Sequence, residues 1–306
     1  MSDQHATPYL YLAITMALFG SAFTSSKVIV GEMPHGVAAA LRFGGAAVVL
    51  VVMTLLRPGT GSFSWRDLRR AGAAGLIGVF AYNILFFWAI SLAPAVDGSV
   101  VVPVLSPVLT TFFSLVTGRE AATARRVGGL AIGVAGAIVF FAGIATTGFT
   151  GTRLLGDLLY VGCAACWAAY SITSKKVLTG MDPLRATTSA AGAGALGLVL
   201  AAAPQLPDTD WAAVSATGWA NLVFLAIGPT ALAYLFYYRA LKAVSPVTAT
   251  VTMFAVPVFG TAFSVALLGE SFTAVQFAGA VITIAGALLA VTQKEKVAGV
   301  RSGVAA

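Results

Sequence analysis

Residues 106–120 read SPVLTTFFSLVTGRE, and residues 256–270 read VPVFGTAFSVALLGE. The two stretches share Pro107-Val108 with Pro257-Val258, Thr111 with Thr261, Phe113-Ser114 with Phe263-Ser264, and Glu120 with Glu270. Neither carries a charge before its last two residues. Each reads as an apolar helix closing on a polar turn, and the chain writes it twice at an offset of 150.

The likeness runs outward from this pair. At the same offset Gly78 matches Gly228, Ala93 matches Ala243, Gly129 matches Gly279, and Gly136-Ala137 matches Gly286-Ala287. At an offset of 149, TSSKVIVGEMP (24–34) matches TSKKVLTGMDP (173–183), pairing Lys27 with Lys176 and Pro34 with Pro183. Both halves are covered without large gaps. Residues 1–148 and 149–306 are therefore expected to be two copies of one unit.

Composition decides the solvent. Only 9% of the 306 residues are charged, against about 25% in a soluble domain, and mean hydropathy is +0.92. Apolar windows recur near the ~20 residues that cross a bilayer. They predict helices near 9–30, 35–56, 69–92, 95–117, 124–144, 153–173, 184–203, 212–239, 244–268 and 271–292. The breaks between them, such as GEMPHG, TGREAATARR and PQLPDTD, are short and rich in polar or turn residues. The first apolar run lacks a basic n-region and continues to about Val30. That is too long for a signal-peptide h-region, so a retained membrane helix is expected.

The net charge of +7 reports orientation and gives no sign of a nucleic-acid partner. Fifteen of the eighteen Lys and Arg residues fall in the even-numbered loops and the C-terminal tail; the exceptions are Lys27, Arg42 and Arg153. The positive-inside rule then puts both termini in the cytoplasm. Five crossings per copy is an odd number, so the second copy enters from the opposite side. The expected fold is an all-α integral membrane protein, with ten transmembrane helices in two inverted five-helix repeats. Such halves recur in transporters, which hold a site between them.

The middles of the ten helices contain no Asp, Glu or His. Most proton-coupled pumps keep such a group inside the membrane, so an uncoupled carrier is favoured. Asp97, Asp157 and Glu270 lie near helix ends. Glu120 and Glu270 stand just before the fifth and tenth helices, where a negative charge suits the N-terminal dipole. What the interior offers is aromatic and weakly polar. Candidate cavity residues are Phe19 and Phe23 on the first helix, Tyr82, Asn83 and Trp88 on the third, Trp167 and Tyr170 on the sixth, and Tyr234 and Tyr238 on the eighth. Arg42 and Lys27 either attract a carboxylate or snorkel to the headgroups. Pro103, Pro107, Pro229 and Pro257 are candidate bending or gating positions. Glycines in GGLAIGVAGA (128–137) and FAGAVITIAGA (277–287) suit close helix packing. Cys163 and Cys166 form a C-x-x-C inside an apolar run with no His or acid close by, and read as small packing residues. No nucleophile, base or metal set is clustered as an enzyme needs.

The paired stretches ending in GRE and LGE, the paired SKxV…P segments, and AGAI/AGAL near the ends of helices five and ten resemble the drug/metabolite transporter superfamily. The resemblance is to its ten-helix EamA-repeat members and covers about residues 9–292. In LFGSAF (18–23), Phe19 stands where the family motif often has Trp, and Trp167-Ala168-Ala169-Tyr170 carries the related pattern in the second half. Within that superfamily the chain is most similar to the YddG-type exporters of aromatic amino acids. The resemblance implies export of aromatic and other neutral amino acids, or similar amphipathic metabolites, across a bacterial inner membrane through a central cavity, with no bound cofactor. The implied partners are a small-molecule substrate and the lipid bilayer. One chain holds both halves of the pore, so no obligate protein partner is expected. Small multidrug carriers use a helix-one glutamate, absent here between Tyr9 and Gly31. A nucleotide-sugar exchanger needs cations placed for phosphate, and a channel would conduct without saturation.

Overall fold

Inside a bilayer no water satisfies the backbone, so a spanning chain must close its own hydrogen bonds. The computed structural model describes residues 3–57, 64–118, 123–145, 150–177, 181–233, 236–237, 240 and 252–291, and every regular element among them is helical. Seven apolar segments are long enough to cross a membrane: Thr7–Val30, His35–Leu56, Leu68–Leu92, Ala95–Val116, Ala124–Gly143, Gly151–Thr173 and Leu184–Gln205. Three shorter apolar segments follow, Ala216–Leu232, Met253–Leu268 and Ala274–Ala290. Cys163 is buried and Cys166 half-buried, and both thiols are free.

The first helices are α1 (Asp3–Val30) and α2 (His35–Leu56). The next predicted helix is interrupted. Between α3 (Trp65–Gly75) and α4 (Tyr82–Leu92) lies a π-helical segment, Leu76–Ala81. Then come α5 (Ala95–Val116), α6 (Ala124–Ala145), α7 (Gly151–Val177) and α8 (Pro183–Ala202). The helix expected from 212 begins later, as α9 (Ala216–Leu225). Its start is set by a turn in which Asp210 accepts from the amides of Ala212 and Ala213, and by Ser215 Oγ, which accepts from Gly218 N. It too runs into a π-helical segment, Ala226–Leu232. The last helices are α10 (Val256–Leu268) and α11 (Ala274–Val291).

The two π segments occupy the same repeat position. Pro229, inside the second, has no N–H to give the carbonyl of Leu225. The Thr230 hydroxyl donates to that carbonyl instead, at 2.9 Å.

Small residues let the halves touch backbone to backbone. A Cβ on Gly129 would lie 2.6 Å from Ala290 N and 2.8 Å from Gly286 O, and one on Gly143 would lie 2.8 Å from Gln276 N. Gly136 abuts Thr283, and Gly279 abuts Phe140. As one number rises the other falls, so α6 and α11 run antiparallel. The contact of Gly129 with Gly286 becomes, 150 residues on, that of Gly279 with Gly136. The helices α2 and α8 are also antiparallel, with Thr54 Oγ1 2.9 Å from Thr188 Oγ1 at one end and Gly36 against Gln205, in the turn that follows α8, at the other. By contrast α1 and α10 run parallel, with Gly20 against Gly260 and Thr24 Oγ1 3.2 Å from Ser264 Oγ.

One end of the bundle is tied by charge. Lys27 Nζ donates to the carbonyls of Ile90 and Ala93, at 2.7 and 2.8 Å. Glu270 accepts from the amides of Ala95 and Val96, at 2.8 and 2.7 Å. A cation thus meets the C-terminus of α4 and an anion the N-terminus of α5, each complementing its helix dipole. This corrects the expectation that Glu270 serves the helix following it. That terminus is already served by a capping box, in which Thr273 Oγ1 accepts from Gln276 N and Gln276 Oε1 accepts from Thr273 N. Glu120 lies outside the described residues. Beside this turn Asp97 is fully buried; it accepts from Arg153 Nη2 at 2.8 Å, Arg153 Nε at 3.0 Å and Gln276 Nε2 at 3.0 Å.

Two substitutions test this packing. Removing one partner of a buried ion pair costs about 3–5 kcal/mol, so Arg153→Met should lower the melting temperature of the purified protein. Pairing it with Asp97→Asn should restore most of the loss, and a single variant that melts like the parent would show the pair to be idle. Gly136→Leu should destabilise by at least the ~1–3 kcal/mol of an overpacked core. Gly128→Ala, at a glycine with open space around it, should not.

Candidate functional site

Helices from both halves contribute faces to a shared interior cavity, and their residue types set what that cavity can hold. On α4 the buried residues include Asn83, Phe86, Phe87 and Ile90, the i, i+3, i+4, i+7 pattern of one helix face. Asn83 and Phe86 reach a cavity of about 500 Å³, within the ~300–1,000 Å³ of small-molecule pockets. Phe19, Ala22 and Phe23 enter it from α1, Arg42 and Phe43 from α2, and Gly78 and Val79 from the first π segment. Opposite stand Pro103, Ser106, Pro107 and Thr111 on α5, Trp167 and Ser171 on α7, and Pro229 and Thr230 in the second π segment. The cavity therefore touches both halves of the repeat, and both of its wide helical turns.

The rings form a connected wall. Tyr82 stacks on Phe86 with centroids 5.9 Å apart and leans on Trp167 at 5.8 Å. Phe86 also meets Phe23 edge-on at 5.3 Å. Such arrangements give large apolar area with preferred geometry. The cavity's polar groups are mostly hydroxyls, with Asn83, the Trp167 indole and two arginines among the described lining residues. The hydroxyls of Ser106, Thr110 and Thr111 donate to their own helix, to the carbonyls of Val102, Ser106 and Pro107. Asn83 Nδ2 donates to Val79 O at 2.7 Å, while Asn83 Oδ1 is buried and accepts no hydrogen bond. The Arg42 guanidinium lies over the rings of Phe43, Phe87 and Phe86, at 4.9, 5.8 and 5.9 Å, and donates to Ser26 Oγ at 3.3 Å. Among the described lining residues the charged ones are Arg42 and Arg126, and none is acidic.

The structure gathers Phe19, Phe23, Arg42, Tyr82, Asn83 and Trp167 around the cavity, with Pro103, Pro107 and Pro229. Trp88 is placed elsewhere. It is 40% exposed on the far face of α4, stacked against His35. Tyr170 sits behind the wall, 5.9 Å from the Trp167 ring and pressed on Gly78, where no Cβ would fit. Pro257 is buried in the first turn of α10, a position that tolerates proline without bending a helix. Tyr234 and Tyr238 lie outside the described residues. Sequence reading missed Phe43 and Thr230 as lining residues. Thr230 was recoverable from its place after a helical proline. Lys27 faces helix carbonyls and does not line the cavity.

The chain matches the EamA-like transporter family over residues 6–142 and again over 154–292. It is 26% identical to the uncharacterized transporter YyaM of Bacillus subtilis (strain 168), over 94% of each chain. It is 27% identical to the aromatic amino acid exporter YddG of Ancylobacter novellus, over 85% of this chain and 88% of that one. A probable terminal-alkyne amino-acid exporter of Streptantibioticus cattleyicolor is 25% identical over 91% of each chain. A solved crystal structure with 21% identity superposes with a TM-score of 0.63, covering 94% of this chain and 97% of its own, and shares the fold. Apolar spanning helices and relatives named as transporters make this a multi-pass protein of a bacterial inner membrane. The chain belongs to the EamA-like transporter family.

Proposed function

We propose that the protein is a carrier that exports aromatic and other neutral amino acids by alternating access. In this reading the ten apolar segments all cross the membrane, in two inverted halves with both termini in the cytoplasm, and no cofactor is bound. The antiparallel contacts of α6 with α11, and of α2 with α8, support the inversion. The observation that carries the substrate class is the cavity itself, whose ring wall of Phe23, Tyr82, Phe86 and Trp167 surrounds a volume of about 500 Å³. Amino-acid export by two of the relatives supports it further.

The cavity extends toward the end of the bundle that carries Arg126, one of the basic loop residues assigned to the cytoplasm. The opposite end is closed by the Lys27, Glu270 and Asp97–Arg153 contacts. The conformer described is thus read as open to the cytoplasm.

The test is efflux of preloaded radiolabelled phenylalanine from proteoliposomes. Saturable efflux that persists without a proton gradient is expected, and no flux above empty liposomes would sink the reading. Trp167→Ala should raise the half-saturation concentration several-fold, since a ring contact contributes about 0.5–1.5 kcal/mol beyond its area. Trp88→Ala should leave it unchanged.

One observation favours a second reading of the energetics. Asp157 is buried, and neither of its oxygens has a hydrogen-bond partner; intramembrane carboxyls mark proton relays in pumps. Flux that requires the gradient and is lost in Asp157→Asn would replace the uncoupled scheme with a proton-driven one.

A further inference from the structure

Two of the cavity's polar groups are placed to recognise opposite charges. Arg42 is 8% exposed, and three phenylalanine rings stand where water would otherwise solvate it. A guanidinium so desolvated binds a carboxylate strongly, in a fork that matches both oxygens. Asn83 is 2% exposed. Its amide nitrogen is engaged with Val79 O, which leaves Oδ1 as a buried acceptor without a donor. A buried acceptor left in this condition costs about 1–3 kcal/mol, and an ammonium group would remove that cost.

The two groups share one helix face. Arg42 packs on Phe86 and Phe87, which stand three and four residues after Asn83 on α4. The guanidinium therefore packs on rings one turn of α4 beyond Asn83, and both residues line the same cavity. Tyr82 and Trp167 lie beside them.

We propose that Arg42 and Asn83 form the head-group subsite of an α-amino acid, Arg42 holding the carboxylate and Asn83 Oδ1 the α-ammonium, with the side chain among Tyr82, Phe86 and Trp167. The described lining residues include no acid. The ammonium is therefore met by a neutral amide and the carboxylate by a full charge. Carboxylate recognition dominates, and the site prefers a zwitterion or a monocarboxylate to an amine. This deepens the amino-acid reading above and rests on it.

The test uses the full-length purified chain and three probes that differ only in the head group: L-phenylalanine, 3-phenylpropanoate (no ammonium) and phenethylamine (no carboxylate). Calorimetric titration should rank them in that order for the parent protein. Arg42→Met should weaken L-phenylalanine and 3-phenylpropanoate by about tenfold or more and leave phenethylamine nearly unchanged. Arg42→Lys should recover part of the loss. Asn83→Leu should weaken L-phenylalanine and phenethylamine while sparing 3-phenylpropanoate. Equal weakening of all three probes, or of none, in either variant would overturn the subsite.

If a variant does not fold, the parent series still decides: L-phenylalanine binding no tighter than either half-ligand also overturns it. Phenylalanine efflux run in parallel separates the two claims. Saturable efflux with variants blind to the head group defeats the subsite and keeps the carrier. Absent efflux from the parent defeats the carrier, while the titrations still judge the subsite.

Discussion

A cation held away from water inside a bilayer must find oxygen atoms or π electrons, and that constraint organises this protein. Three of the described cations show how. Lys27 rests on the last carbonyls of α4, Arg153 on the buried Asp97, and Arg42 on Ser26 and three phenylalanine rings. The first two have partners that complete their charge, a helix dipole in one case and a carboxylate in the other. Arg42 lies against rings and a hydroxyl at the wall of the cavity. The other two cations hold one end of the bundle together.

The halves meet through glycine because nothing else allows two helical backbones to approach so closely. Lipid tails are as apolar as leucine, so packing and hydrogen bonds hold membrane helices together. The α6–α11 seam does this along its whole described length, from Gly129 to Gly143. The halves also meet at α1–α10 and α2–α8, and within this ring of contacts the π segments at Leu76–Ala81 and Ala226–Leu232 border the cavity. Single-turn π bulges occur often at functional sites. Here each one contributes lining residues, and each sits where the other half's copy also does. A binding site between repeats receives such features in pairs.

Much of this was legible in the sequence, for a physical reason. Uncharged windows bounded by turn residues predicted 35–56 and 95–117, and the helices are His35–Leu56 and Ala95–Val116. Long-range polar contacts were not legible. Glu270 looked like a local helix-start residue, because nothing nearby in sequence reveals the amides of Ala95 and Val96. Trp88 looked like a cavity residue because an aromatic-rich helix does not announce which face is inward. The spacing of Asn83, Phe86, Phe87 and Ile90 does so, and it puts Trp88 outside. One clue was present and unused. The three basic residues that broke the loop pattern, Lys27, Arg42 and Arg153, all have interior work. An Arg outside that pattern needs a reason, and for Arg153 the reason is Asp97.

The repeat also explains what the two ends of the carrier do not share. Two inverted copies with identical contacts would give two conformers of equal energy, since opening one end would reproduce at the other the contacts it broke. Part of the closed end has such counterparts: Lys27 and Glu270 correspond to Lys176 and Glu120 in the other copy. The ion pair does not. Asp97 corresponds to Val247, and Gln276, which braces it, corresponds to Arg126. The end tied by Asp97, Arg153 and Gln276 therefore carries a buried polar cluster that its counterpart cannot rebuild. In the alternating-access cycle proposed above, the population of a conformer follows its free energy, so this cluster would bias the cycle toward the conformer in which that end is shut. Substrate entering the cavity would then have to supply the difference before that end could open. The seat of that bias is a contact the repeat does not copy.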